Sequence, residues 1–433
     1  MALEEAGVPT VAVHTHVFAR LARATALANG MPRTRQAFVP QPIVDRSPAE
    51  LRAYIEGIDP VSRRPFMQEV IEGLTQPLSA EDLKGVSFER STPRLLAADT
   101  HDALQQLFID NNWTDFLPII LPTEERVAAM LAGTSHAPDE VVGRLSPTSF
   151  REEWEFTVEK VAVNAVMAGA RPEYLPVILA IAASGITARS SSTTSMTSIA
   201  VVNGPIRNQI GMNCGIGAMG PHNHANATIG RAYSLLSQNL QGGSVAGETY
   251  MGTLGNGLAY SPCFAENEER SPWQPLHVGK GFKAEDSAVS VFFGARYTQE
   301  GYGPRETWQE KMRRCLSAGA HFPPLLILDP IVARGFADHG IITSQQLIDW
   351  CAANALLPAR EYWDDQWVQT LLRPLAVAGV EPYATRLAAR DDEIVAMFEA
   401  REIHAVVVGG ETQGAWKMIG ARHMRTVSID AWR

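Results

Sequence analysis

Several features that would place the chain early are scarce. The 433 residues include four cysteines, Cys214, Cys263, Cys315 and Cys351, widely spaced and with no CxxC. That spacing argues against a disulfide framework and a structural zinc knuckle, and reduced thiols in the cytoplasm are expected. No apolar stretch approaches the roughly eighteen residues of a membrane span. The opening residues, Met1-Ala2-Leu3-Glu4-Glu5, carry acids where a signal peptide carries bases. Lys/Arg runs are also missing. With 37 basic against 47 acidic side chains the net charge is −10, which repels nucleic acid and anionic membranes, so neither is an expected partner.

What is present is an ordinary globular composition on a chain too long for one core, so two or three lobes are expected. Val8 to Val13 reads as a short buried strand and Phe18 to Ala28 as a helix, with Gly30 suited to its C-cap. Ala37 to Val39 begins a second strand, stopped by Pro40 and Pro42. Asp59-Pro60 has the form of an N-cap and first-turn proline, opening a helix towards Leu74. Pro118 to Leu121 is a strand candidate, Thr123 a helix start, and Arg144 to Ser149 a linker. Glu153 to Ala168 and Ala225 to Leu240 are helical. Pro176 to Ala183 is a helix or a buried strand, and Ile199 to Val202 a strand. Further strand candidates are Ala288 to Phe293, Leu325 to Leu328, Ala405 to Gly410 and Val427 to Ile429. Ser344 to Ala355 and Asp391 to Ala400 are helix candidates.

The alternation predicts an α/β fold with largely parallel sheets and Rossmann-like lobes. The expected division is a βαβ lobe over 1–80, a connecting region over 81–150, a glycine-rich core lobe over 151–300 and a second α/β lobe over 301–433. Met167-Ala168-Gly169-Ala170 precedes the strand at Ile199, and Ser317-Ala318-Gly319-Ala320 precedes the strand at Leu325. The matching order suggests a pseudo-duplicated core with a cleft between paired lobes.

Gly211 to Gly220 follows a strand and precedes a helix. Its backbone N–H groups, at Asn213, Cys214, Gly215 and Gly217, can approach a phosphate or carboxylate. Asn203, Arg207, Asn226 and Arg231 are the neighbouring binding candidates. Gly215, Gly217 and Gly220 match GxGxxG. The glycines do not follow the strand directly, however, and no acid occurs between Gly220 and Glu248, so a dinucleotide site is not indicated. The bland alternative is a tight packing loop. Glu411 lies in a glycine turn after a strand, where open α/β sheets bind ligands.

His222 and His224 form an HxH pair able to hold a divalent metal, with Glu266, Glu268 or His277 as third ligand; His14 and His16 form a second pair. Cys263 stands near Glu266, Glu268 and Glu269. Adjacent acids oppose thiolate formation, whereas two carboxylates can divide into general acid and general base. A solvated acidic turn is the alternative. Lys160 lies one helical turn before Asn164 and is a candidate base or Schiff-base former if buried, a structural ion-paired lysine otherwise.

Gly7-Val8-Pro9-Thr10-Val11, Phe18-Ala19-Arg20-Leu21-Ala22 and Gly30-Met31-Pro32 resemble the later half of the UGSC family, a group of selenocysteine or cysteine proteins. The core resembles a larger UGSC-like group through Val158 to Gly169, Pro172 to Tyr174, Asn203 to Ile206, Ala225 to Arg231, Ala265 to Glu269 and Ser271 to Trp273. The resemblance implies thiol-linked chemistry. The family's name-giving Sec/Cys-Gly-Ser-Cys motif, expected upstream of the Val-Pro-Thr strand, does not occur in the sequence, so that chemistry is not carried over. The chain also has His222-Asn223-His224 where the resemblance leads one to expect a Gly-Asn-Arg type of sequence.

These features together lead to the expectation of a cytoplasmic enzyme on a small anionic or thiol-containing metabolite, bound in an inter-lobe cleft. Glu266 or Glu268 would do acid/base work, Cys263 or Cys214 would act as nucleophile or substrate-facing thiol, and the glycine loop with Arg207 or Arg231 would hold the anion. Lyase or C–S/C–N bond chemistry in secondary metabolism fits. The alternatives are a metabolite- or metal-binding subunit whose partner supplies the thiol motif, and a metal-dependent hydrolase. No cofactor beyond a divalent metal is indicated, and homo-oligomerisation is compatible with the residues.

Overall fold

The computed structural model describes residues 3, 7–28, 34–43, 46–77, 93–145, 154–189, 195–241, 250–260, 262–294, 298–303, 306–318 and 322–433. The expected C-cap at Gly30 and most of the linker from Arg144 to Ser149 lie outside them.

The N-terminal unit is the βαβ arrangement read from the sequence. Strand β1 (Val11–Thr15) pairs in parallel with β2 (Arg35–Val39), connected through helix α1 (Ala19–Ala28). Two helices follow, α2 (Pro48–Glu56) and α3 (Phe66–Thr75). Ser47 starts α2 by accepting from the Glu50 amide while the Glu50 carboxylate accepts from the Ser47 amide. Asp59 does not start a helix as expected. Its buried carboxylate accepts from the amides of Phe38, Val61 and Ser62, pinning a tight turn against β2, and α3 begins only at Phe66.

Pro118 to Leu121 forms no strand. It leads from α4 (His101–Asp110) into α5 (Glu124–Leu131), capped by Thr123 as expected. A hairpin of β3 (Val141–Leu145) and β4 (Trp154–Thr157) then enters the core. The ambiguous run at Pro176 is helical: α6 (Val158–Ala168), α7 (Leu175–Ala183) and α8 (His224–Gln241) form one layer. A second layer comes from α9 (Trp308–Ala318), α10 (Pro330–Asp338) and α11 (Ser344–Asn354).

Two four-stranded sheets lie between these layers. The first has the order β14 (Arg422–Ser428), β7 (Ala288–Gly294), β5 (Thr197–Asn203), β6 (Cys263–Ala265). The second has the order β8 (Thr298–Tyr302), β13 (Ala415–Gly420), β9 (Pro324–Leu328), β12 (His404–Val407). Strand alternation divides the core cleanly. Ala200, Val202, Val289 and Val291 face α6–α8. Leu326, Leu328, Val407 and Met418 face α9–α11. Ile199, Val201, Phe264, Phe292, Leu325, Ile327, Val406 and Ile419 fill the layer between the sheets. The result is a helix–sheet–sheet–helix stack. The expectation of largely parallel sheets is corrected: in each sheet one pair is parallel, β5 with β6 and β9 with β12, and two are antiparallel. Periodicity marks a strand as buried but carries no information about the direction of its neighbour.

The two sheets repeat one order and one set of directions, and they exchange their outer strands. The chain leaves β7 to place β8 beside β13, and leaves β13 to place β14 beside β7. At the crossings, Phe322 packs where a Cβ on Gly294, which has φ +125°, or on Gly420 would stand, so both positions need glycine. Asp391 to Ala400 is not a helix but contains the short strand Ile394–Ala396, paired antiparallel with Leu356–Pro358; these are β11 and β10. Among the described residues no helix is long and apolar enough to cross a membrane.

Phe292 is fully buried between the sheets. Phe292→Ala is expected to lower unfolding free energy by about 3–5 kcal/mol, measured by denaturant titration. A loss below about 1 kcal/mol would mean that the inter-sheet layer is not the cooperative core.

Candidate functional site

The parallel strands β5, β6 and β12 end close together. The amide of Glu266, just past β6, donates to Val202 O at 3.1 Å, and the amide of Asn267 donates to Val407 O at 2.7 Å. Asn267 Nδ2 reaches Gly409 O at 2.9 Å. The segment after β6 therefore bridges the two sheets, and Asn203, Arg207, Glu266, Glu268 and Glu269 gather around it.

Asn203 is fully buried at the end of β5. Its Nδ2 donates to Glu266 Oε2 at 2.6 Å and to Glu268 Oε1 at 3.0 Å, holding the two carboxyl groups on one amide. Glu266 also accepts from the Leu276 amide at 2.9 Å and is 2% exposed. Burial pushes its pKa up to about 7; the Glu268 charge adds to this, and the bonds from Leu276 and Asn203 only partly oppose it. Glu268 accepts from the Gly204 amide at 2.7 Å and pairs with Arg207 at 3.0 Å. Arg207 is 2% exposed, and it also donates to Glu266 O at 2.6 Å and to both oxygens of Glu269. Burial raises the Glu269 carboxyl, but the bonds from Arg207 and Asn208 prevail and hold it down at about 2.

The second sheet has a corner in the same register. Val202 faces Ala265 as Leu328 faces Val407, so Glu266 corresponds to Val408, Asn203 to Asp329 and Glu269 to Glu411. Glu411 pairs with Arg334 as Glu269 pairs with Arg207. Asp329 caps α10 through the Val332 amide and also accepts from the Ala415 amide. Val408 is a core residue between the sheets. A carboxyl therefore occupies in one half the position that an apolar side chain fills in the other.

The remaining sequence candidates divide. Cys214 is half-buried beside Arg207, and its carbonyl accepts from the Gly409 amide at 2.8 Å, which places the glycine loop against the same corner. Burial raises its thiol pKa, with Arg207 pulling the other way. Cys263 is buried in β6 with its thiol pushed up to about 12, which is not a nucleophile at neutral pH. The loop is not an open anion cradle. Asn213 binds its own turn through Gly215 N and Ile216 O, and Asn223 and Asn226 bind Gly217 O, Gly220 O, Asn213 O and Ala218 O. Gly215 and Gly217 belong to that knot. Arg231 is engaged by Asp115 and by Pro118 O, and Arg207 by its acids, so neither guanidinium is vacant for a ligand. Lys160 is exposed on α6, not buried as a Schiff-base lysine needs. Glu411 is at the rim. His222 and His224 are exposed, His224 Nδ1 lies 3.3 Å from the Tyr174 hydroxyl, and among the described residues no three His, Cys, Asp or Glu side chains form a metal-binding group. His277 is fully buried with neither ring nitrogen partnered.

A basic cluster was not foreseen. His404 Nδ1 faces Glu402 O at 3.1 Å, leaving Nε2 to accept from Lys280 Nζ at 2.6 Å. The His404 ring stacks on His423 with centroids 5.2 Å apart, and both meet the Phe292 ring edge to face. Burial, with the Lys280 charge, lowers His404 to about 3 and His423 to about 4. The three residues are far apart in sequence and share no motif.

Glu266 and His404 oppose each other in pH dependence. Glu266 holds its proton in the folded state up to about pH 7, whereas the unfolded chain releases it near 4.5, so its contribution falls as pH rises between those values. Glu266→Gln should gain stability relative to wild type by on the order of 3 kcal/mol between pH 4 and pH 8 in chemical denaturation. A flat difference would mean an ordinary carboxyl. His404 stays neutral in the fold below 6.5 while the unfolded chain protonates, so its contribution is lost as pH falls from 6.5 towards 3. The stability of His404→Asn relative to wild type is therefore expected to rise as pH falls through that window, and a constant difference would contradict the buried neutral imidazole.

No curated protein and no solved structure matches the chain. A family model does: residues 1–65 match the UGSC family. The match covers the β1–α1–β2 unit, α2 and the Asp59 turn, and the carboxylate corner lies beyond it. The N-terminal segment of this chain is UGSC-like.

Proposed function

We propose that the chain is an enzyme using Glu266 as a general acid–base on a small polar metabolite, bound where β5, β6 and β12 end. The observation that carries this is a buried carboxyl with pKa about 7 at the position where the equivalent corner has Val408. A carboxyl poised near neutral pH exchanges protons in either direction at low cost. Glu268, on the same Asn203 amide and tied to Arg207, is the companion group between Glu266 and solvent. Two carboxyls on one amide, differently paired, can divide the roles of proton donor and acceptor.

The chemistry that fits is lyase-like: Glu266 takes a proton from the substrate and returns one to the leaving group. Cys214 faces this corner as a neutral thiol, a contact for substrate and not an attacking thiolate. The matched arginines favour an uncharged or thiol-bearing part of the ligand beside Glu266 over an anionic one. Cytoplasmic residence belongs to the same proposal, with four free cysteines in support. So does the view of the two strand-exchanged sheets as a structural repeat.

The test is incubation of wild-type protein and Glu266→Gln with a bacterial metabolite extract, followed by mass spectrometry. Wild type is expected to consume at least one small metabolite, with turnover reduced by about a hundredfold or more in the variant. Equal turnover by the variant would remove Glu266 from the chemistry. Retention of a metabolite without turnover would establish the non-catalytic binding subunit instead.

A further inference from the structure

A cavity of about 220 Å³ opens at the edge of the α9–α11 half, away from the Glu266 corner. Drug-sized pockets are on the order of 300–1,000 Å³, so this one suits a metabolite. Its wall is apolar and aromatic, with Trp367, Leu371, Leu375 and Tyr383 among the lining side chains. Val368–Leu372 is a π-helical turn, a local departure from α-helical bonding that recurs at binding sites.

The buried charged group in that wall is Arg386, which is 5% exposed. Its Nη1 donates to Tyr362 Oη at 3.0 Å and to Met397 O at 3.2 Å, and the guanidinium lies over the Tyr362 and Tyr383 rings at 5.4 and 5.5 Å. Among the described residues no carboxylate pairs with it, whereas Arg207, the other arginine below a tenth exposed there, is matched by Glu268 and Glu269. The lining contains one acid, Glu402, whose carboxylate accepts from the Glu399 amide, and a second cation, Arg422. A buried guanidinium without a counter-charge is costly, and a ligand carboxylate offers the planar, two-oxygen partner that it fits.

We infer that this cavity binds a small monocarboxylate with an aromatic or branched aliphatic body. The carboxylate meets Arg386 and the apolar body lies against Trp367, Leu371 and Leu375. The site is separate from the Glu266 corner and does not depend on the function proposed there.

Isothermal titration of the full chain with 3-phenylpropionate and with 3-phenylpropanamide tests the inference. The acid is expected to bind at least about tenfold more tightly than the amide, because only the acid supplies the charge-assisted bonds. Leu371 is 49% exposed at the mouth, so Leu371→Trp should fill the cavity and abolish binding without burdening the core. Arg386→Met should remove the preference for acid over amide, and Glu266→Gln should leave acid binding unchanged. If the acid gives no binding at millimolar concentration, binds no better than the amide, or still binds Leu371→Trp, the inference is overturned; the Leu371 variant keeps the test valid even if Arg386→Met does not fold.

Discussion

The apolar contact between the two sheets governs the rest of the architecture. Phe264, Phe292, Ile327 and Val406 come from both sheets and interdigitate in one layer. The inner strands of each sheet are then buried on two faces, one by its own helices and one by the other sheet, which is why β7, β9 and β12 read as nearly continuous hydrophobic runs. The exchanged strands lock this contact. Neither sheet can be completed without β8 or β14 arriving from the other half, so the two halves are expected to fold as one cooperative unit.

That constraint also creates the carboxylate corner. Bringing the sheets face to face sets the ends of β5, β6 and β12 side by side, and the Asn267 amide closes the gap by bonding Val407 O. The low-dielectric layer beneath Glu266 raises its pKa, while its neighbours Glu268 and Glu269, a few residues on, reach Arg207 and solvent. Three nearly adjacent acids therefore have different electrostatic settings. The asymmetry between Glu266 and Val408 matters because the two corners share strand order and register: packing alone is served by a valine at that position, and a buried carboxyl is costly there.

The arginines follow the same logic. Arg207 and Arg231 looked from their sequence neighbours like groups for an external anion, but each is drawn inward and neutralised, by Glu268 and Glu269 in one case and by Asp115 in the other. Arg386, in a stretch without any motif, is a buried guanidinium that faces tyrosine rings and a cavity.

Much of the local structure was legible in the chain itself. The β1–α1–β2 unit, the Thr123 cap, α8, β5, β7, β9 and α11 follow from short-range periodicity and capping chemistry, which are properties of neighbouring residues. So does the identity of the acid cluster, because Glu266, Glu268 and Glu269 stand within one short segment. Strand direction, the exchange of β8 and β14, the helical state of α7 and the knotting of the glycine loop by Asn213, Asn223 and Asn226 did not follow, since each depends on partners distant in sequence. The Lys280–His404–His423 cluster and the Arg386 cavity were likewise decided by tertiary structure alone. Proton affinity and the vacancy of a charge are set by burial and by the nearest counter-group, and packing between remote segments determines both.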